Sequence, residues 1–156
     1  MANFMNVKDA ISATEAECYV TISGKRYHFM QLINLEAKIE KEKITIPILG
    51  KRSKGNKAVG WKGTGKAKLH YNTSIFRKLL FDYKEYGEDV YFDIQVINED
   101  PASSVGRQAV TLKGCNINGG VLAKLDANAE FLDEDIDFTF EDFEIPAAFR
   151  NVAGMV

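Results

Sequence analysis

Two long segments of the chain alternate strictly between apolar and polar residues, and this alternation limits the possible folds more than any other feature. In residues 33–40 every second side chain is apolar, and in residues 61–71 all eleven positions fit a period of two. A period of two is typical of a β-strand with one buried face and one face in water. The first segment stays extended as far as Pro47, which cannot donate to a strand ladder and therefore marks a strand end.

The second alternating segment carries two glycines, Gly63 and Gly65, on its apolar face. Glycine inside a strand leaves space beside the backbone, so we expect another backbone to approach closely at this point. The same segment contains a GxxxxGK match from Gly60 to Lys66, but Ala67 replaces the Ser or Thr that would hold magnesium. A phosphate loop must also open a helix, whereas this match runs on into a strand. The sequence therefore predicts no nucleotide site here.

The remaining segments predict further strands and one helix. Residues 18–29 are typical of a hairpin around Gly24, and additional strands are expected in residues 90–96, 107–115, 122–131 and 136–145. The helix is expected at about residues 73–86, where Phe76, Leu79, Leu80 and Tyr83 follow helical spacing and Gly87 is a stop signal. One helix among about seven strands predicts a mainly β fold, a β-sandwich or barrel-like subunit with one flanking helix. The length favours a single domain over residues 1–156.

Charge is distributed in two blocks of opposite sign. Residues 41–68 contain nine Lys or Arg and one acid, and residues 126–144 contain nine acids and no base, although the net charge is only −2. Such blocks often mark an interaction surface, and solvated faces without a partner are the alternative. The basic block includes an extended loop at about residues 47–60, and a loop of this length is usually functional or mobile. Its basic residues are Lys51, Arg52, Lys54 and Lys57, and the acidic block offers a candidate partner surface at Asp133, Glu134, Asp135 and Asp137.

Several classes of protein are disfavoured by what the sequence lacks. Its apolar runs are far shorter than the ~18 residues of a membrane helix, and residues 1–10 lack the apolar core of a secretory signal. Cys18 and Cys115 form no CxxC pair, so we expect buried thiols in a reducing compartment. With two histidines and no local nucleophile signature, the sequence predicts no catalytic residues, no metal and no cofactor. A pair of catalytic carboxylates among the many acids stays open.

The order of these features carries a family resemblance. An N-terminal hairpin precedes an alternating strand that runs into Glu40–Lys43 and Ile46–Gly50; the basic loop, Gly60–Gly65, the helix and a closing strand at residues 136–143 follow. From about residue 18 to residue 145, this order resembles the phage tail tube proteins of contractile, PBSX-like (XkdM-type) tails. Order and spacing together carry the resemblance, because the individual motifs are not highly specific.

The resemblance implies a structural protein and not an enzyme. Its subunits would form hexameric rings that stack into the inner tube of a contractile phage tail or tail-like particle, a conduit assembled in the bacterial host cytoplasm. The implied partners are further copies of the chain, the tail sheath, baseplate and tail terminator proteins, and DNA in the lumen, with no membrane insertion. The basic loop would contact the adjacent ring.

By the same resemblance, the polar faces of the two long strands would line the lumen or its rim. The residues on these faces are Asn34, Glu36, Lys38, Glu40, Lys62, Thr64, Lys66 and Lys68. Lumens of DNA-delivering tubes are often acidic, and four lysines do not fit that pattern. The sequence therefore leaves open whether the particle delivers DNA.

Two other functions stay open at this stage. A nucleic-acid-binding β-barrel would combine Lys62, Lys66 and Lys68 with Trp61 and Tyr71, since single-strand binders combine positive charge with stacking aromatics. The alternation places these aromatics on the face opposite the lysines, which disfavours that function. An enzyme on a sandwich scaffold has no motif behind it, and a fold alone does not supply one.

Overall fold

Eight strands, one α-helix and a short 3-10 turn make up the regular structure in the computed structural model, which describes residues 4–155. Residues 1–3 and 156, which the single-domain prediction includes, lie outside the described residues. The elements are the 3-10 turn Val7–Asp9, β1 Ala16–Ile22, β2 Lys25–His28, β3 Leu32–Ile46, β4 Gly55–His70, α1 Ile75–Tyr86, β5 Phe92–Glu99, β6 Arg107–Gly119, β7 Asp133–Phe140 and β8 Asp142–Ala147. This composition confirms the predicted mainly β fold with one helix.

All eight strands belong to one antiparallel sheet that folds over into two layers. The strand order is β2-β1-β5-β6-β7-β4-β3, and β8 pairs with the first part of β6. From Ala109 to Lys113, β6 lies between β5 and β8, whereas Asn116 and Ile117 pair with β7. Only Glu141 separates β7 from β8, so the chain changes layer there. Strands that switch layers in this way are typical of sandwiches with barrel-like corners.

The core lies between the layers and is built from alternate residues of the strands. Its buried members include Cys18, Val20 and Ile22 of β1, Ala67 and Leu69 of β4, Phe92 and Ile94 of β5, and Ile136, Phe138 and Phe140 of β7. Cys18 and Cys115 are both free and buried, which confirms that they serve as small core residues. Burial raises the pKa of each thiol to about 12, so both thiols stay protonated and unreactive near neutral pH.

Helix α1 closes one end of the core. The Phe76 ring packs against Phe29 and Phe92, with ring centroids 5.7 and 5.8 Å apart. The helix ends as predicted at Gly87, which adopts the left-handed conformation with φ of 69°. One part of the predicted apolar stripe is wrong, because the Tyr83 side chain is 58% exposed. Tyr83 lies in the last turn of the helix, beyond the edge of the core that Phe76 reaches.

The strand predicted at residues 122–131 is also wrong, since residues 120–132 form an irregular connection between β6 and β7. The Asp126 carboxylate accepts a hydrogen bond from the Asn128 backbone N–H at 3.0 Å. A side chain that bonds the backbone two residues on stabilises a turn in place of a strand. Leu122 and Leu125, which suggested a strand, are exposed.

The two glycines of β4 make room for aromatic rings and not for another backbone, which corrects the sequence prediction. A Cβ atom added at Gly65 would lie 2.3 Å from Cζ of Phe138, and one added at Gly63 would lie 2.4 Å from Cε2 of Phe140. Phe138 and Phe140 are the register partners of these glycines on β7 and are buried. Each ring therefore lies across the backbone of the neighbouring strand.

We expect Gly65→Ala to lower the melting temperature by several degrees. The Phe138 ring is fully buried, so it must shift within the core to admit the methyl group. Overpacking of this kind costs typically about 1–3 kcal/mol, and each kcal/mol corresponds to about 2–4 °C in a domain of this size. Gly119→Ala is the matched control, because a Cβ atom there meets nothing within 4 Å. Calorimetry of the two variants tests the packing, and equal melting temperatures would contradict it.

Candidate assembly surfaces

The β3–β4 hairpin projects beyond the rest of the sheet. Pairing of β4 with β7 ends at Gly63 and Phe140, but pairing of β3 with β4 continues as far as Ile46 and Gly55. Residues 40–62 therefore form a two-stranded ribbon without a third strand, which we call the arm. An isolated two-stranded ribbon is at best marginally stable in water, so an arm of this length is expected to gain contacts elsewhere.

The basic loop at the end of the arm is shorter than the sequence predicted. Residues 47–54 form the connection, and the backbone N–H of Lys51 donates to the carbonyl of Ile48 at 3.1 Å in a tight turn. Lys57 lies in β4 opposite Ile44, so its assignment to the loop is wrong. The reason is a cross-strand ladder that local composition does not reveal. Lys51, Arg52 and Lys54 are exposed at the tip, where the sequence placed them.

Apolar side chains are uncovered along the arm, a feature that the charge pattern of the sequence does not indicate. Leu49 at the tip is fully exposed and its neighbour Ile48 is 44% exposed. Ile44, Ile46 and Val59 are exposed further down the ribbon. Contiguous exposed apolar side chains mark interaction sites on soluble proteins. The arm is therefore an apolar as well as a basic surface.

An apolar groove opens at the base of the arm, between the two layers. It has a volume of about 420 Å³, and its lining includes Ile39 of β3, Val96 of β5 and Ile145 of β8. Trp61 lies at this end of the sheet, with its ring centroid 5.8 Å from that of Phe143. The groove adds to the apolar surface that the subunit leaves uncovered.

The eight residues predicted to line a lumen all lie on one face, the outer surface of β3 and β4. Register places Glu36 opposite Lys66, Asn34 opposite Lys68, Lys38 opposite Thr64 and Glu40 opposite Lys62. On the other side of β4, Asp137 lies opposite Lys66 and Asp135 opposite Lys68. We call this surface of β3, β4 and β7 the charged face. It carries four lysines and five acids, since Asp133 follows on β7 opposite His70, so the two signs of charge are mixed on it.

The four residues of the predicted acidic surface are not equivalent. Asp135 and Asp137 lie on the charged face beside lysines of the same subunit. Asp133 accepts a hydrogen bond from Lys124 Nζ at 3.3 Å. Glu134 is only 2% exposed and points into the core, so its assignment to a surface is wrong. Its register partner is the buried Leu69.

Glu134 forms a buried ion pair with Arg77 of helix α1. The Arg77 guanidinium also donates to the carbonyl oxygens of Thr73 and Val121 and lies over the Tyr71 ring, 4.4 Å from its centroid. This cluster joins the helix to β7. The sequence contains a signal for it, because the period of two in β7 places Glu134 on the same face as Ile136 and Phe138.

The structure offers few features for binding chemistry. Over residues 4–155, no group of three His, Cys, Asp or Glu side chains is placed to hold a metal ion. Gly60 to Lys66 lies inside β4, so no helix N-terminus follows the phosphate-loop match. Within the same described part of the chain, no helix is long and apolar enough to span a membrane.

A two-layer antiparallel subunit with a projecting arm and one flanking helix is the class of fold found in tail tubes. A chain in the structure of an extracellular contractile injection system, a sheath–tube complex in the extended state, shares this fold. Its TM-score with this chain is 0.66 at 9% sequence identity, covering 91% of this chain and 95% of that chain.

Sequence comparison identifies the family. A family described as "Phage tail tube protein" matches residues 3–147. The phage-like element PBSX protein XkdM of Bacillus subtilis is 38% identical over 133 residues, which are 81% of this chain and 90% of that relative. The uncharacterized protein YqbM of the same organism is 36% identical over 138 residues, 84% of this chain and 94% of that relative. The chain belongs to the phage tail tube protein family, and the resemblance found in the sequence is confirmed.

Proposed function

We propose that this protein forms hexameric rings that stack into the inner tube of a contractile phage tail or tail-like particle. The tube would be a conduit, and the role of the subunit would be structural and not catalytic. The observation that carries the proposal is the arm, which extends past the sheet with uncovered apolar side chains and a basic tip. In an isolated subunit these apolar side chains stay in water, and only contact with another molecule would bury them.

Ring closure would use the free edges of the layer that contains the arm. This layer ends at β3 on one side and at residues 116–119 of β6 on the other. Unpaired strand edges promote aggregation unless they are covered or used. Pairing one edge with the other edge of a neighbour is a head-to-tail contact that can close into a ring and remove both edges. The charged face would then line the lumen or its rim.

Stacking of rings would use the arm. We infer that Ile48 and Leu49 bury apolar surface against the next ring, while Lys51, Arg52 and Lys54 meet acidic side chains there. Of the acids that the sequence proposed, Asp133 is the candidate, because Asp135 and Asp137 lie beside Lys68 and Lys66 of their own subunit. The tail sheath, baseplate and tail terminator are the further partners proposed for the finished tube, with assembly in the bacterial host cytoplasm.

Nucleic-acid binding as the main function is less well supported. Trp61 packs towards Phe140 and Phe143, and Tyr71 lies beneath Arg77. Neither ring is on the charged face with the lysines, so the subunit lacks the combined aromatic and basic platform that binds single strands.

The proposal predicts that the purified chain assembles as its concentration is raised. Light scattering should show growth, and negative-stain electron microscopy should show rings and tubes with a central channel. The physical reason is that apolar surface on the arm and at the groove becomes buried only in the assembly. A strict monomer at every concentration and salt would overturn the proposal.

A further inference from the structure

The two lysines in the middle of the charged face have acids beside them on neighbouring strands. Lys66 lies between Glu36 on β3 and Asp137 on β7. Lys68 has Asp135 beside it on β7. Lys66, Glu36 and Asp137 also line a common depression of about 270 Å³. Side chains directly opposite on neighbouring strands have Cβ atoms about 4.5–5.5 Å apart, so each lysine has an acid within close range.

These charged residues lie side by side without forming fixed ion pairs. Within residues 4–155, no Lys66 or Lys68 nitrogen lies within 4.0 Å of a carboxylate, whereas Lys113 and Glu144 elsewhere in the sheet are 2.8 Å apart. The Cβ atoms of each opposed pair nevertheless lie closer together than the screening length of about 8 Å at physiological ionic strength. A polyanion approaching this face therefore meets lysines and acids together, and the attraction of one is cancelled by the repulsion of the other.

We propose that Asp135 and Asp137 prevent the charged face from binding polyanions, because they neutralise lysines that would otherwise bind phosphate groups. The inference rests on the proposed function insofar as this face lines the conduit. A lumen surface with mixed charges neither binds nor repels a nucleic acid strongly. A nucleic acid could therefore pass through the conduit without adhering to it. Ring symmetry would repeat the effect around the whole lumen.

The test compares the Asp135→Asn/Asp137→Asn variant with a matched control, Glu15→Gln/Glu88→Gln. Both variants lose two negative charges, but Glu15 and Glu88 are exposed residues outside the charged face. The probe is a fluorescent single-stranded DNA oligonucleotide, and its anisotropy is measured against protein concentration at several salt concentrations. Wild type and control should show no binding above about 100 mM salt. The Asp135/Asp137 variant should gain binding that weakens with salt, with a slope of about −0.7 for each phosphate that a lysine contacts.

Two further variants make the result decisive. Adding Lys66→Gln and Lys68→Gln to the Asp135/Asp137 variant should remove the gained binding, and Glu36→Gln alone should produce a smaller gain. Equal binding by wild type and the Asp135/Asp137 variant would overturn the proposal, and so would an equal gain in the control. Circular dichroism shows whether the Asp135/Asp137 variant folds. If it does not fold, the Glu36→Gln variant is the test, and absence of any gain in DNA binding by that variant would overturn the proposal.

Electron microscopy of the same samples separates this inference from the proposed function. DNA binding by the Asp135/Asp137 variant without tubes in any sample would support the neutralising role and contradict the tube. Tubes of wild-type appearance without any gain in DNA binding would support the tube and contradict the neutralising role.

Discussion

Arg77→Met is expected to lower the free energy of unfolding by about 3–5 kcal/mol, the usual cost of removing one partner from a buried ion pair. The substitution keeps an unbranched apolar stem of similar length but leaves the Glu134 carboxylate buried without its guanidinium partner. It also removes the donors to the carbonyl oxygens of Thr73 and Val121. Urea denaturation followed by circular dichroism measures the loss.

Lys78→Met, at the next position of the same helix, is the matched control, because Lys78 is exposed. Surface substitutions of this kind usually change stability by no more than about 0.5 kcal/mol. The double variant Arg77→Met/Glu134→Gln should recover part of the stability, since a neutral amide costs less to bury than an unpaired carboxylate. A single variant Arg77→Met as stable as the Lys78 control would show that the ion pair does not hold the helix to β7.

The strands with one buried face could be predicted from the sequence because the alternation that indicates them lies within each strand. In β4 and β7 the apolar residues occupy alternate positions, and the buried set in the structure follows that alternation. The length of the arm could not be predicted in this way. Gly55 to Lys57 contains no apolar residue, and these residues are held extended by their pairing with β3. The pairing depends on where the turn forms, and composition does not determine that.

The Arg77–Glu134 pair shows a second limit. Period two in β7 places Glu134 in the core, which requires a positive partner or a proton. Arg77 is 57 positions away in the chain, on helix α1. Only the docking of α1 against the end of the sheet brings the two together. The charged face is an intermediate case, since alternation groups its residues within each strand, but only register shows which charges are neighbours.

Ile48→Asp/Leu49→Asp is expected to abolish stacking of rings while the subunit stays folded. Both side chains are exposed at the tip of the arm, so their replacement removes nothing from the core. Full burial of one such side chain contributes about 1.5–3 kcal/mol, and the contact would recur for every subunit of a ring. Electron microscopy should show folded subunits or single rings without tubes. Leu122→Asp/Leu125→Asp, exposed leucines outside the arm, is the control and should leave the stacking contact of the arm intact.

A companion variant separates apolar contact from charge at the same tip. Lys51→Glu/Arg52→Glu/Lys54→Glu reverses the basic residues but keeps Ile48 and Leu49. An exposed ion pair is worth only about 0.2–1 kcal/mol, so this variant should shorten tubes at low salt and affect them little at 1 M, where the screening length is about 3 Å. The aspartate variant should fail to stack at every salt concentration, because burial of apolar surface does not depend on screening. Tubes of normal length from the aspartate variant would exclude the arm as the stacking contact, and equal losses in both variants at high salt would show that the basic residues act by shape and not by charge.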